Sequence, residues 1–257
     1  MSAYKIEAGT AQHIGNRPQQ NDRVALLTSP SAPGYVLAVL ADGNHSAIGA
    51  DQALLTSKQL FDEFRVGDAP NLPRLKELLG AILLEAHQLI KMNPITAAAE
   101  PHSALALLVL TPAGQAVWAH VGETRVYRFS GEASAERSND AAYVEHLVRN
   151  DRVPLEAAKK HRHSKLLANV LGNSFKAPYV ALNVYEGLRP GDAFLLCSDG
   201  LWQCFTDQEL AAAVARNTPR QAAERLIGKA AERARGKGDN CTMAIIKLVA
   251  PAPSVNR

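Results

Sequence analysis

The order of its segments predicts an α+β fold for this chain, and three observations carry that prediction. Short apolar runs bounded by turn residues, the mark of buried strands, crowd both ends of the sequence. Two helix-like segments follow the first group of strands, and two capped ones precede the last strand. Strands and helices gathered into runs, without regular βαβ alternation, point to α+β.

The elements are justified in order. The first 45 residues predict strands at roughly Tyr4–His13, Val24–Thr28 and Tyr35–Ala41. A helix is expected over Ala47–Phe64, from Ile48, Leu54, Leu55, Phe61 and Phe64 set among alanines. A clearer one spans Leu72–Lys91, with Leu75, Leu78, Leu79, Ile82, Leu83, Leu89 and Ile90 at helical spacing, and Asn93-Pro94 ends it. Strands resume at Ser103–Leu110, Ala116–Val121 and Arg125–Phe129, with PAGQ (112–115) and SGEAS (130–134) as turns. From about Asp140 to Leu171 the chain is polar, holds three of the eight histidines, and predicts short helical pieces around VPLEAAKKH in a mobile flap. Strands follow at Tyr179–Tyr185 and Ala193–Cys197. Thr206 with Glu209, and Thr218 with Gln221 and Pro219 between them, predict two helix starts with capping boxes. Cys241–Val249 is the last strand, and APAPSVNR reads as a loose tail.

Bulk composition narrows the function classes. The 257 residues suit one large domain or two small ones, and 47% hydrophobic content can build a core. A net charge of +3 without a dense Lys/Arg block gives no support to a nucleic-acid role. Cys197, Cys204 and Cys241 show neither CxxC nor zinc spacing, and predict buried reduced thiols in a cytoplasmic protein. The N-terminus has no signal-peptide pattern, and no run of about 18 apolar residues predicts a membrane span. No repeat, linker or low-complexity segment interrupts the chain.

Two apolar runs end in Asp-Gly: YVLAVLADG (Tyr35–Gly43) and AFLLCSDG (Ala193–Gly200). A third acidic turn, GKGDN (236–240), leads into CTMAIIKLV. Asp42, Asp199 and Asp239 therefore sit at strand ends. Each could simply make a turn, because Asp-Gly is ordinary turn chemistry. If the ends converge, they form an all-oxygen site suited to Mg2+ or Mn2+.

In order and spacing, these motifs resemble those of the type 2C metal-dependent Ser/Thr protein phosphatases in their compact bacterial form, from about Gly9 to Leu248. GNRPQQND (15–22) matches at Arg17 and Asp22, while Gln20 and Asn21 replace the family's Asn and Glu. The resemblance implies that Arg17 holds a phosphate and that Asp22 orients metal-bound water. ADGNHSAIGADQA (41–53) matches at Asp42, the bridging ligand, and at Gly43, whose carbonyl is a ligand. Asn44-His45-Ser46 replaces the usual Met-Gly-Gly. His45 either protonates the leaving alkoxide or is a solvent-facing side chain. HVGETRVYRF (120–129) puts Glu123 where the family's Asp serves a weaker third metal. LRPGDAFLLCSDGLW (188–202) and GKGDNCTMAII (236–246) supply the ligands Asp199 and Asp239, and Asp192 reads as a turn residue. In the flap, Ser138 and Asp140 match but Ala141 and Ala142 replace His and Ser, while Glu156, Ala157, His161 and Leu171-Gly172 match further on. His161 and His163 do not share a helical face and are not expected to bind a metal together.

The resemblance implies a four-layer α-β-β-α sandwich of two antiparallel sheets flanked by helix pairs, with a metal site at strand ends between the sheets. It implies one catalytic domain over residues 1–257, with a flap at roughly 138–172 and a loose tail from about 250. The activity implied is hydrolysis of phosphoserine and phosphothreonine in proteins, with two Mn2+ or Mg2+ ions activating a water and a possible weak third ion. The implied partners are phosphorylated substrates of a cognate Ser/Thr kinase, and the chain is expected to be a monomer that binds neither nucleic acid nor membrane. A catalytically weak phosphoprotein-binding or sensor module on the same fold is the alternative. A two-metal nuclease would call for a basic groove. No Cys-x5-Arg loop and no P-loop motif is present.

Overall fold

The structure, a computed structural model, describes residues 4–67, 72–93, 100–131, 133–138 and 169–251. The strands are β1 (Lys5–His13), β2 (Arg23–Ser29), β3 (Ala32–Asn44), β4 (His102–Leu110), β5 (Gln115–Val121), β6 (Arg125–Ser130), β7 (Ala133–Arg137), β8 (Ala181–Glu186), β9 (Asp192–Cys197) and β10 (Cys241–Val249). Among the described residues the helices are α1 (Ile48–Glu63), α2 (Leu72–Met92), α3 (Asp199–Trp202), α4 (Asp207–Arg216) and α5 (Pro219–Ala234).

Two antiparallel five-stranded sheets result, in the orders β1-β10-β9-β6-β7 and β2-β3-β4-β5-β8. Side chains alternate along each strand, and here both faces are covered. On β3, Leu37, Val39 and Ala41 pack against α1 and α2, while Ala38 and Leu40 face the other sheet. On β9, Ala193, Leu195 and Cys197 join the core under α4 and α5, while Phe194 and Leu196 face inward. Double burial explains why these strands read as unbroken apolar runs. The expected α-β-β-α layering is therefore present.

The helix starts follow their sequence signals. Thr206 and Thr218 each accept from the backbone N–H of the third helical residue, and Glu209 and Gln221 return the bond. Helix α5 ends at Arg235 in the left-handed region, followed by Gly236 at φ +74°. All three cysteines are free thiols. Among the described residues, no helix is long and apolar enough to cross a membrane.

Three elements differ from expectation. Strand β3 runs on through Asp42 to Asn44, because β4 continues to pair with it as far as Asn44↔His102. Strand β7 forms where only a turn is expected; its sequence ASAER has no apolar run, and pairing with β6 defines it. Asp199 opens the short helix α3 immediately beyond β9. The helical flap pieces, with Asp140, Ala141, Ala142, Glu156, Ala157, His161 and His163, lie outside the described residues. At the flap's end, Leu171 is buried and pairs with Ser103.

Asp192 is more than a turn residue. One carboxylate oxygen accepts from the backbone N–H of Arg189 at 2.9 Å, and the other from Arg128 Nη2 at 2.9 Å. Both side chains are buried, and the guanidinium lies over the Tyr185 ring at 3.4 Å.

Candidate metal centre

Strand register brings the first two carboxylates together. Arg23 pairs with Ala41, so Asp22 and Asp42 are the next residues along the same antiparallel ladder. The two-residue period gives Asp42 the parity of Ala38 and Leu40, and Asp22 that of Val24, all directed between the sheets. Asp22 is buried, and its Oδ2 accepts from Ser198 Oγ at 2.9 Å.

The other sheet supplies Asp199 and Asp239. Ser198 Oγ also accepts from the Thr242 backbone N–H at 3.0 Å, tying the ends of β9 and β10 to Asp22. A Cβ at Gly200 would lie 2.2 Å from the Asn240 carbonyl oxygen, so only glycine lets these two backbones meet. A Cβ at Gly43 would similarly strike the carbonyl oxygens of Ser46 and Asn21, at 2.6 and 2.8 Å.

Asn240 clamps the segment carrying Arg17. Its Oδ1 accepts from the Asn21 backbone N–H at 2.7 Å, and its Nδ2 donates to the carbonyls of Ile14 (2.8 Å) and Gln19 (3.1 Å). Sequence reading assigns no role to Asn240 or Ser198, although a polar residue abutting an apolar strand run is a usable signal. The outcome is a cleft of about 380 Å³ at the strand ends, lined by Arg17, Asn21, Asp42, Gly43, His45, Glu123, Asp199, Asp239 and Asn240, among others.

Negative charge in the cleft is poorly compensated. Burial, then the charges of Asp22, Asp199 and Asp239, holds the Asp42 carboxyl well above the usual range. Burial also raises Asp22, whose Oδ1 is buried without a hydrogen-bond partner among the described residues. Asp199 is pushed up to about 7, by burial first and then by Asp239, Glu123 and Asp22. Crowded, desolvated carboxylates favour either protons or cations. An all-oxygen donor set with an orphaned carboxylate oxygen fits Mg2+ or Mn2+. As the side chains stand, no three among the described residues already enclose a single ion. One physical reason is visible at Asp239, whose two oxygens are taken by Arg17: Nε donates to Oδ1 at 2.7 Å and Nη2 to Oδ2. Asp42, Glu123, Asp199 and Asp239 nonetheless line one cleft, and the buried Asp22 is close enough to feel the charge of Asp239.

His45 sits at the cleft in a strained turn. Its φ is +64°, and the Ser46 backbone N–H donates to the Asn44 carbonyl at 2.8 Å across it, giving a γ-turn of the rare positive-φ kind. Such a conformation costs about 1–3 kcal/mol in a non-glycine residue, and outliers of this type cluster at functional sites. Glu123 lies in the β5–β6 turn, where its carbonyl accepts from Trp202 Nε1 at 2.8 Å. The guanidinium of Arg125 stacks on that indole at 3.5 Å.

These shifts predict a pH-dependent metal effect. Raised carboxylate pKa values mean that the folded metal-free protein holds extra protons above the ordinary carboxylate range, up to about pH 7 for Asp199. Their contribution to stability is present at low pH and lost as pH rises through that window. A bound cation replaces those protons, so the thermal shift from EDTA to Mn2+ should grow from pH 5 to pH 8. At a hundred times Kd it should approach about 2.7 kcal/mol, or roughly 5–10 °C. His87, buried with a lowered pKa, acts oppositely but equally in both samples. A shift that shrinks over this range contradicts the electrostatics.

Comparison with known proteins gives the fold its relatives. No family model matches the chain. The serine/threonine protein phosphatase PstP of Mycobacterium tuberculosis is 30% identical over 131 residues, which is 51% of this chain but only 24% of PstP. The solved serine/threonine phosphatase of S. agalactiae superposes with a TM-score of 0.76 at 20% identity, covering 95% of this chain and 99% of that one. PppA, described as a key regulatory component of T6SS in Pseudomonas aeruginosa, gives 0.68 at 25% identity, covering 96% and 100%. The PstP catalytic domain, solved in complex with two manganese ions, gives 0.66 at 21% identity, covering 95% and 98%.

Proposed function

We propose that this chain belongs to the type 2C Ser/Thr phosphatases and is a metal-dependent protein phosphatase acting on phosphoserine and phosphothreonine. The observation that supports this most is the convergence of Asp42, Asp199 and Asp239 on one cleft beside Arg17, with Asp22 buried next to Asp42. Asp42, Asp199, Asp239 and the Gly43 carbonyl would hold two divalent ions, Mn2+ or Mg2+, and Glu123 a weaker third. Bound there, such ions would supply an activated water and neutralise charge on the phosphoryl group.

The chain's own residues do the rest. Arg17 presents a planar, permanently charged fork to two phosphoryl oxygens. Asp22, fixed by Ser198, orients the water shell from behind Asp42. His45 delivers a proton to the departing alkoxide. The segment at roughly 138–172 shapes substrate choice within a single catalytic domain. A phosphoprotein made by a Ser/Thr kinase is the substrate, the cytoplasm is the setting, and the enzyme works as a monomer.

Hydrolysis of p-nitrophenyl phosphate and of a phosphothreonine peptide in Mn2+, by the wild type and by His45→Ala, tests this reading. The wild type should hydrolyse both. The variant should be slowed about 100-fold on the peptide, the scale of general acid catalysis, and little on the aryl ester, whose leaving group needs little protonation. Equal effects on both substrates rule out the acid role, and an inactive wild type rules out the enzyme.

A further inference from the structure

We propose that Arg17 and Asp239 form an interlock, in which the guanidinium that captures the phosphoryl group pairs with a carboxylate that a divalent ion requires. The inference rests on the phosphatase reading above and adds an order of events to it. Arg17 donates from Nε to Asp239 Oδ1 at 2.7 Å and from Nη2 to Oδ2, so both oxygens are engaged. Asp239 Oδ1 also accepts from the Asn240 backbone N–H at 2.8 Å. Three donors thus occupy most of the acceptor positions of this carboxylate, and a metal bound through it would compete with the fork.

The surrounding backbone favours a side-chain swing over a loop movement. The Asn16 backbone N–H donates to the Gly238 carbonyl at 2.8 Å, and Asn240 holds both Ile14 and Gln19. A Cβ at Gly15 would lie 2.2 Å from the Asp239 carbonyl oxygen, so the two segments are in backbone contact. The side chains themselves remain 57% and 39% exposed, leaving Arg17 free to turn into the cleft that it also lines. Metal entry therefore releases Arg17 for phosphate, and phosphate on Arg17 releases Asp239 for metal. Linkage makes the two effects reciprocal.

Calorimetric titration of the metal-free protein with Mn2+ alone tests this, comparing the wild type with Arg17→Gln and Arg17→Lys. Arg17→Gln should bind Mn2+ about two- to fivefold more tightly, the scale of an exposed ion pair. Arg17→Lys keeps the charge but loses the two-pronged contact, and should fall between the other two. A lysine variant that matches the wild type would show a simple field effect and overturn the interlock. So would unchanged or weaker binding in Arg17→Gln. A wild type that takes up no Mn2+ would overturn the metal reading itself, and the interlock with it.

Discussion

Asp199→Asn is expected to eliminate Mn2+ binding in the cleft and to lower phosphopeptide turnover by at least about a thousandfold. Asp199 opens helix α3 directly beyond β9, and its carboxyl is raised to about 7 by burial and by the charges around it. Asn has nearly the same shape, so the loop need not rearrange. The loss is of a negative charge that only a cation or a proton relieves. The same change should therefore raise the melting temperature of the metal-free protein at pH 8, where the wild-type carboxylates repel one another, and abolish the further rise with Mn2+. A variant that melts lower in EDTA than the wild type would show that Asp199 serves local structure, and would contradict its assignment as a ligand.

Asp192→Ala is expected to destabilise the fold by about 3–5 kcal/mol, because it strands the buried Arg128 guanidinium without its carboxylate. For a chain of this size that is on the order of 10 °C in melting temperature. Asp192 lies at the opposite end of β9 from Asp199, about 20 Å away at strand rise, so turnover at low temperature should persist. Arg128→Met combined with Asp192→Ala should recover part of the loss, since removing both partners leaves no buried charge. If the single variant melts within 2 °C of wild type (roughly 1 kcal/mol or less), the pair is not the structural tie described here.

These two aspartates also show what sequence could and could not reveal. Asp199 is legible because Asp-Gly closes an apolar run, and both capping boxes are legible because each signal spans only four residues. Asp192 read as a turn, which it is, but its partner Arg128 lies on another strand, and no local pattern connects them. The same holds for Arg17 and Asp239, 222 positions apart. Asp22 could be matched to a motif, yet its closeness to Asp42 follows only from the β2–β3 register. His45 stood out as a departure from Met-Gly-Gly, but its positive φ is a property of the folded loop. Strand β7 carries no signal of its own, because pairing with β6, and not its composition, makes it a strand. Local signals thus lie in the sequence itself, while contacts between distant segments are set by the fold.

The central claim is that this cleft turns divalent metal into phosphatase activity. The most direct test is release of inorganic phosphate from a phosphothreonine peptide by the purified, metal-stripped chain, before and after addition of Mn2+. The account predicts no release in EDTA, catalytic release with Mn2+, and none from Asp199→Asn under either condition. A folded wild-type protein that binds Mn2+ but releases no phosphate at any metal concentration would contradict it, and would favour a phosphoprotein-binding module on the phosphatase fold.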